Sequence, residues 1–258
     1  NNNNNNNNNN TQSDKTLQEF LLHTLLEGTV QQEVVGTKRH QRRIRSKPPR
    51  PMPFPYPLRS SDSLLQSLRC ALSCQTVQGY DWEDTSGYQQ IDLEHDSGFT
   101  DWTTTRQTRI VSLPRHLILH LQRFKYARGE LNIMHPRMDI PMLLTPEAFG
   151  LQNSDTVHEL TGAILHVSDS SRVVERDDAA HYVVLVRCDD FLKQSNARWF
   201  LIDDDRVQNV NHDTDQIRNF LTGHHSAFCP DCEGSSFCPT LLVYSAPNNG
   251  DAGNDDDN

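Results

Sequence analysis

Two apolar runs carry the side chains best suited to chemistry. In Ala180-His181-Tyr182-Val183-Val184-Leu185-Val186 a histidine opens a β-branched stretch, and in Trp199-Phe200-Leu201-Ile202-Asp203-Asp204-Asp205 acids close one. A carboxylate held against one imidazole nitrogen fixes the tautomer and leaves the other nitrogen free to take a proton. That is the base-and-orienter half of a nucleophilic triad. His181 and Asp203 are the candidate pair. A lone histidine on an apolar strand is more often a satisfied core or surface residue, so the assignment depends on what brings the acid to it. Short β-branched runs joined by the polar loop Cys188 to Arg198 predict two antiparallel strands, and such pairing can bring His181 within reach of Asp203.

Two further stretches accompany them. Gln107 to Leu113 and Leu117 to Phe124 read as paired strands turning at Leu113-Pro114-Arg115, and Pro239-Thr240-Leu241-Leu242-Val243-Tyr244 reads as a closing strand. In this order the four stretches resemble the ubiquitin-specific proteases, the papain-like cysteine peptidases also called ubiquitin carboxyl-terminal hydrolases. The likeness is to that family's histidine box, acidic box, preceding strand pair and last strand. It implies an α+β fold with a mostly antiparallel palm sheet, a fingers hairpin, few helices, and a helical thumb largely missing from these residues. It also implies hydrolysis of the peptide or isopeptide bond after the C-terminal glycine of ubiquitin. His181 would be general base and acid, Asp203 would orient it, and Asp204 would be the second acid. Ala180 and Tyr182 would flank the substrate's di-glycine tail, although Tyr182 and Trp199 read first as packing groups. The family has glycine where this chain has Ala180, and the extra methyl would narrow that channel.

The nucleophile departs from the pattern. No Asn-x-x-Asn-Thr-Cys type box occurs in these residues. Cys70 and Cys74 lie on or after a predicted helix, and Cys188 lies farther along the strand of His181. The resemblance therefore spans Leu17 to Ala246. It leaves three expectations: a piece of a longer protease, a non-catalytic relative that binds ubiquitin, or a chain whose thumb segment comes from a partner. The family's fingers zinc is not expected either, because Gly36-Thr37-Lys38-Arg39 and Trp82-Glu83-Asp84-Thr85 stand where two Cys-x-x-Cys pairs would align. Near the end, Cys229, Cys232, Cys238 and His225 are candidate zinc ligands. Their spacing fits no standard finger, so the preferred reading is a loop of reduced cysteines and no cofactor.

Composition and pattern supply the frame. The chain has 258 residues and a net charge of -10. Residues 1–14, beginning with ten asparagines, and the Asn- and Asp-rich 247–258 read as solvated tails, leaving one domain over 15–246. The acidic balance argues against nucleic acid as a partner, and no apolar run approaches the roughly 18 residues of a membrane span. Six cysteines without a secretory signal suggest reduced thiols and a cytoplasmic or nuclear setting. Lys38 to Arg50 holds seven basic residues and no acid. It is read as a solvated hairpin or loop, with nuclear import or an acidic partner as the alternatives. Helices are predicted at Leu17 to Leu25, at Leu64 to Leu72 behind the caps Ser60 to Ser63, and at Asp213 to Leu221. Strands are predicted at Thr29 to Val35, Asp139 to Met142 and His158 to Val167. A palm without its thumb would expose an apolar sheet face or have it covered by a partner.

Overall fold

A computed structural model describes residues 25–38, 41–78, 89–91, 103–127, 130–133, 137–152, 154–169, 181–188, 198–210, 214–222 and 235–247. In chain order the strands are β1 Thr29–Lys38, β2 Gln41–Ser46, β3 Arg50–Pro51, β4 Tyr56–Arg59, β5 Gln75–Val77, β6 Gln89–Ile91, β7 Thr103–Ser112 and β8 His116–Gln122. They continue with β9 Phe124–Ala127, β10 Glu130–Ile133, β11 Leu143–Leu144, β12 His158–Asp169, β13 His181–Cys188, β14 Arg198–Asp203, β15 Arg206–Asn209 and β16 Ser235–Ser245. Helices α1 Leu64–Leu72 and α2 Thr214–Thr222 and a 3-10 turn at Pro146–Phe149 complete the described elements.

The strands form two large sheets and a small hairpin. The larger sheet runs β15-β14-β13-β12-β16-β8-β4, with β11 added on β12, and is antiparallel except where β4 lies parallel to β8. The second runs β5-β7-β1-β2-β6, with β3 added on β1. This is an α+β architecture dominated by sheet, as expected.

Alternation along the larger sheet builds the core. Leu165, Val183, Leu185 and Leu201 share one face by register, and all four are buried. Leu117, Leu119, Leu242 and Tyr244 extend the same cluster, which also takes in Leu64 and Leu68 of α1. Each fully buried leucine contributes about 1.5–3 kcal/mol by leaving water. The N-cap of α1 is Ser63, whose Oγ accepts from Gln66 N at 3.1 Å, as the serine run predicted. Phe220 of α2 meets Phe237 of β16 edge-on at 5.0 Å.

Two bulges interrupt the register. On β12 it shifts between Leu160 and Gly162, so His158 and Leu160 are buried before the shift, whereas Ala163 and Leu165 are buried after it. On β16 the shift falls at Pro239 and Leu241, where proline's missing N–H costs no ladder bond, and Thr240 Oγ1 donates to Ile164 O at 3.1 Å.

Several expectations are corrected. The stretches around Leu113-Pro114-Arg115 are strands but not partners: β7 pairs with β1 and β5, and β8 pairs with β16 and β4. The Pro114 connection carries the chain from one sheet to the other. Asp139 makes only an isolated parallel bridge to Ser63, and the neighbouring strand is Leu143–Leu144. The basic stretch does form a hairpin through β1 and β2, but it is not wholly solvated, because Arg45 is buried. Of the helix predicted at Leu17 to Leu25, only Leu25 is described, and it is helical with Leu26. Just before β1, against the end of β7 and the Pro114 connection, Gly28 has no room for a side chain. A Cβ there would sit 2.7 Å from Pro114 Cδ and 2.8 Å from Ser112 O.

Candidate active site

The site lies where β13 begins and β14 ends. Their register pairs Val184 with Ile202 and Leu185 with Leu201, so His181 and Asp203 fall on the face of Val183 and Leu185, just beyond the buried stretch. There His181 Nε2 lies 2.8 Å from Asp203 Oδ1. An ionised carboxylate only accepts, so Nε2–H donates and the neutral ring carries its lone pair on Nδ1. The imidazole is thus oriented by one nitrogen and free to act with the other. The side chains are 43% and 24% exposed, at a surface that a reactant can approach.

Asp204 joins them through its backbone. It occupies the two-residue turn between β14 and β15, with φ 53°, a left-handed conformation that aspartate tolerates better than most residues. One nitrogen or carboxylate oxygen from each of His181, Asp203 and Asp204 lies within 4.8 Å of the others. A divalent cation could be held by such a set. The observed hydrogen bond already satisfies His181 Nε2 and Asp203 without one.

Tyr182 points to the opposite face, where it is 46% exposed. Its ring meets His166 edge-on at 5.3 Å, and His166 in turn meets Phe124 at 5.0 Å. Burial, then the positive charge of His181, holds the His166 pKa below the usual histidine value. Sequence reading missed His166 because the β12 bulge reverses which residues face inward. The signal available was Gly162, a residue that often marks such a bulge inside a strand pattern. Trp199 is buried as expected.

The other predicted residues separate. Ala180, Cys229, Cys232 and His225 lie outside the described residues, as does Trp82 to Thr85. Cys238 is 3% exposed within β16, opposite His166; burial raises its thiol pKa, partly offset by the nearby Arg123 guanidinium. Cys70, Cys74 and Cys188 are exposed free thiols. Cys188 stands seven residues along β13 from His181, roughly 23 Å at strand spacing. Among the described residues no thiol hydrogen-bonds the His181 ring.

The mostly antiparallel sheet that presents this imidazole shares its fold with solved DUB-module structures. A family model described as ubiquitin carboxyl-terminal hydrolase matches residues 2–229. The chain belongs to that family. It is 27% identical over 128 residues to the protein named "Probable ubiquitin carboxyl-terminal hydrolase creB" of Aspergillus flavus, covering 48% of this chain and 15% of that protein. The creB protein of Aspergillus clavatus is 29% identical over 120 residues, with 45% and 14% covered. The chain's match thus spans about a seventh of these relatives' length. Among solved structures, the SAGA Ubp8/Sgf11/Sus1/Sgf73 DUB module bound to ubiquitin aldehyde aligns with TM-score 0.60 at 15% identity, covering 93% of this chain and 48% of that one. The same module bound to monoubiquitin gives TM-score 0.59 at 17% identity, covering 88% and 42%.

Proposed function

We propose that this chain supplies the base and orienting acid of a thiol-dependent deubiquitinase, which cleaves the bond after the C-terminal glycine of ubiquitin. The observation that carries the reading is the 2.8 Å hydrogen bond from His181 Nε2 to Asp203, which leaves Nδ1 to serve a thiol. Family membership and the ubiquitin-bound neighbours support the substrate class. In this reading His181 takes the proton of the attacking thiol, stands as imidazolium against Asp203, and returns the proton to the departing lysine amine. The thiol comes from outside the described residues or from a partner chain.

A second reading is a non-catalytic ubiquitin binder on the same surface. It is favoured by the lack of a thiol hydrogen-bonded to His181 among the described residues. A ubiquitin carrying a C-terminal vinyl sulfone separates the two. An adduct at a cysteine of this chain or of a co-purified partner, lost in His181→Ala, supports the hydrolase. Saturable ubiquitin binding without an adduct transfers the conclusion to the binder. Neither adduct nor binding removes both.

A further inference from the structure

The far end of the larger sheet holds a cavity of about 660 Å³ that plays no part in the dyad's chemistry. His158, at the start of β12, forms part of its wall, whereas Val167 of the same strand is the register partner of His181. Nine steps of strand separate His158 from Val167, so the cavity and the dyad are roughly 30 Å apart. The cavity lies where the β7–β8 connection, the segment before β12 and the end of β16 meet.

Its polar wall comprises Ser112, Arg115, Ser154, Thr156 and His158. Arg115 makes no ion pair with any described acid, and its Nε is buried without a hydrogen-bond partner. His158 is 2% exposed. Its Nε2 donates to Pro114 O at 2.8 Å, because a carbonyl only accepts, and its Nδ1 is buried with no partner. Each buried polar atom left in that state costs about 1–3 kcal/mol. The neighbouring His116, whose Nδ1 meets Ser245 Oγ at 2.9 Å, has a pKa below the usual value through burial, then the positive fields of Arg115 and His158. Basic groups therefore converge here. Asp155, on the same segment, is exposed and is not part of the wall.

We infer that this cavity is a binding site for a small organic anion, with a carboxylate or phosphate head at Arg115 and an apolar body against Val111, Leu113 and Leu151. An oxyanion head would give the Arg115 guanidinium, which makes no ion pair with any described acid, a counter-charge. Ser112 Oγ is bonded to Thr29 Oγ1 at 2.7 Å, and Ser154 Oγ accepts from Thr156 N at 3.4 Å; both oxygens retain capacity for a further hydrogen bond. The volume argues for the body. It falls in the range of small-molecule sites, roughly 300–1,000 Å³, far larger than a bare acetate or phosphate requires.

The test uses the full 258-residue chain. Phenyl phosphate and phenylacetate are titrated calorimetrically beside inorganic phosphate and acetate. The expected result is saturable binding of the aryl anions, about tenfold or more tighter than the bare ions. Arg115→Met weakens aryl binding by about tenfold or more. Leu151→Trp, which fills the apolar side, abolishes it and serves as the second variant should Arg115→Met unfold. No saturable binding, aryl binding unchanged in the folded Arg115→Met and Leu151→Trp chains, or inorganic phosphate bound as tightly as phenyl phosphate would each overturn the inference.

Discussion

His181 is half-exposed, and its orientation depends on a single acid, so Asp203 is where a small change should act most strongly on chemistry. With the thiol in place, Asp203→Ala is expected to lower kcat on a ubiquitin fluorogenic ester or amide by about 10²- to 10⁴-fold, the range of acid–base assistance, with little change in KM. A loss below tenfold would deny Asp203 its orienting part. Two other histidines make stability depend on pH. Burial and neighbouring positive charge lower the pKa values of His116 and His166 in the folded chain. The unfolded chain therefore binds protons first as pH falls below the usual value of about 6.5. Stability is complete above that value and declines as pH drops through it toward the lowered folded values. Urea midpoints at pH 7.5 and 5.5 should show the fall, and His166→Phe should flatten it.

At the scale of elements, β13 and β14 were legible because alternation and β-branched residues mark a strand locally, and the acids at the end of one naturally meet the histidine at the start of the other. The partnering of β7 and β8 was not legible. Neighbouring strands in sequence usually pair, but β7 finds a partner in β1, 80 residues earlier where Val30 pairs with Ile110 and 66 earlier where Thr37 pairs with Thr103. Nothing in Leu113-Pro114-Arg115 alone shows that the chain leaves one sheet there for another. The bulge at Gly162 hid His166 for a related reason, since a single inserted residue reverses inward and outward. Asp204 was legible as an acid, whereas the left-handed backbone that carries it toward His181 was not. Because β13 holds the base through its buried face, Leu185→Ala, at a site with no exposure, should cost about 2–5 kcal/mol in urea unfolding. A cost below about 1 kcal/mol would mean that the strand is held elsewhere.

Across the whole molecule, the larger sheet is unequally clothed. Its inner face is packed, but on the other face Tyr182 and Val184 are 46% and 39% exposed, and Val207 of the edge strand β15 is 64% exposed. Ile164, Phe200, Ile202 and Leu241 are only partly covered. Chain purified without a partner should therefore bind a hydrophobic dye such as ANS and associate at high concentration. A dye-free, cooperatively unfolding monomer would contradict that expectation. Among the described residues no helix is long and apolar enough to cross a membrane.

The bare methylene of Gly28 lets the end of β7 and the Pro114 connection close against the start of β1. Met52 N donates to Gly28 O at 2.8 Å, and Pro114 and Ser112 press on its other side. The joint works by contact, like two stones resting on one shared point, and not by a strap that could lengthen. Widening that point by one methyl would force Pro114, whose carbonyl takes the His158 bond, off its seat, so the crossing from one sheet to the other rests on a residue with no side chain.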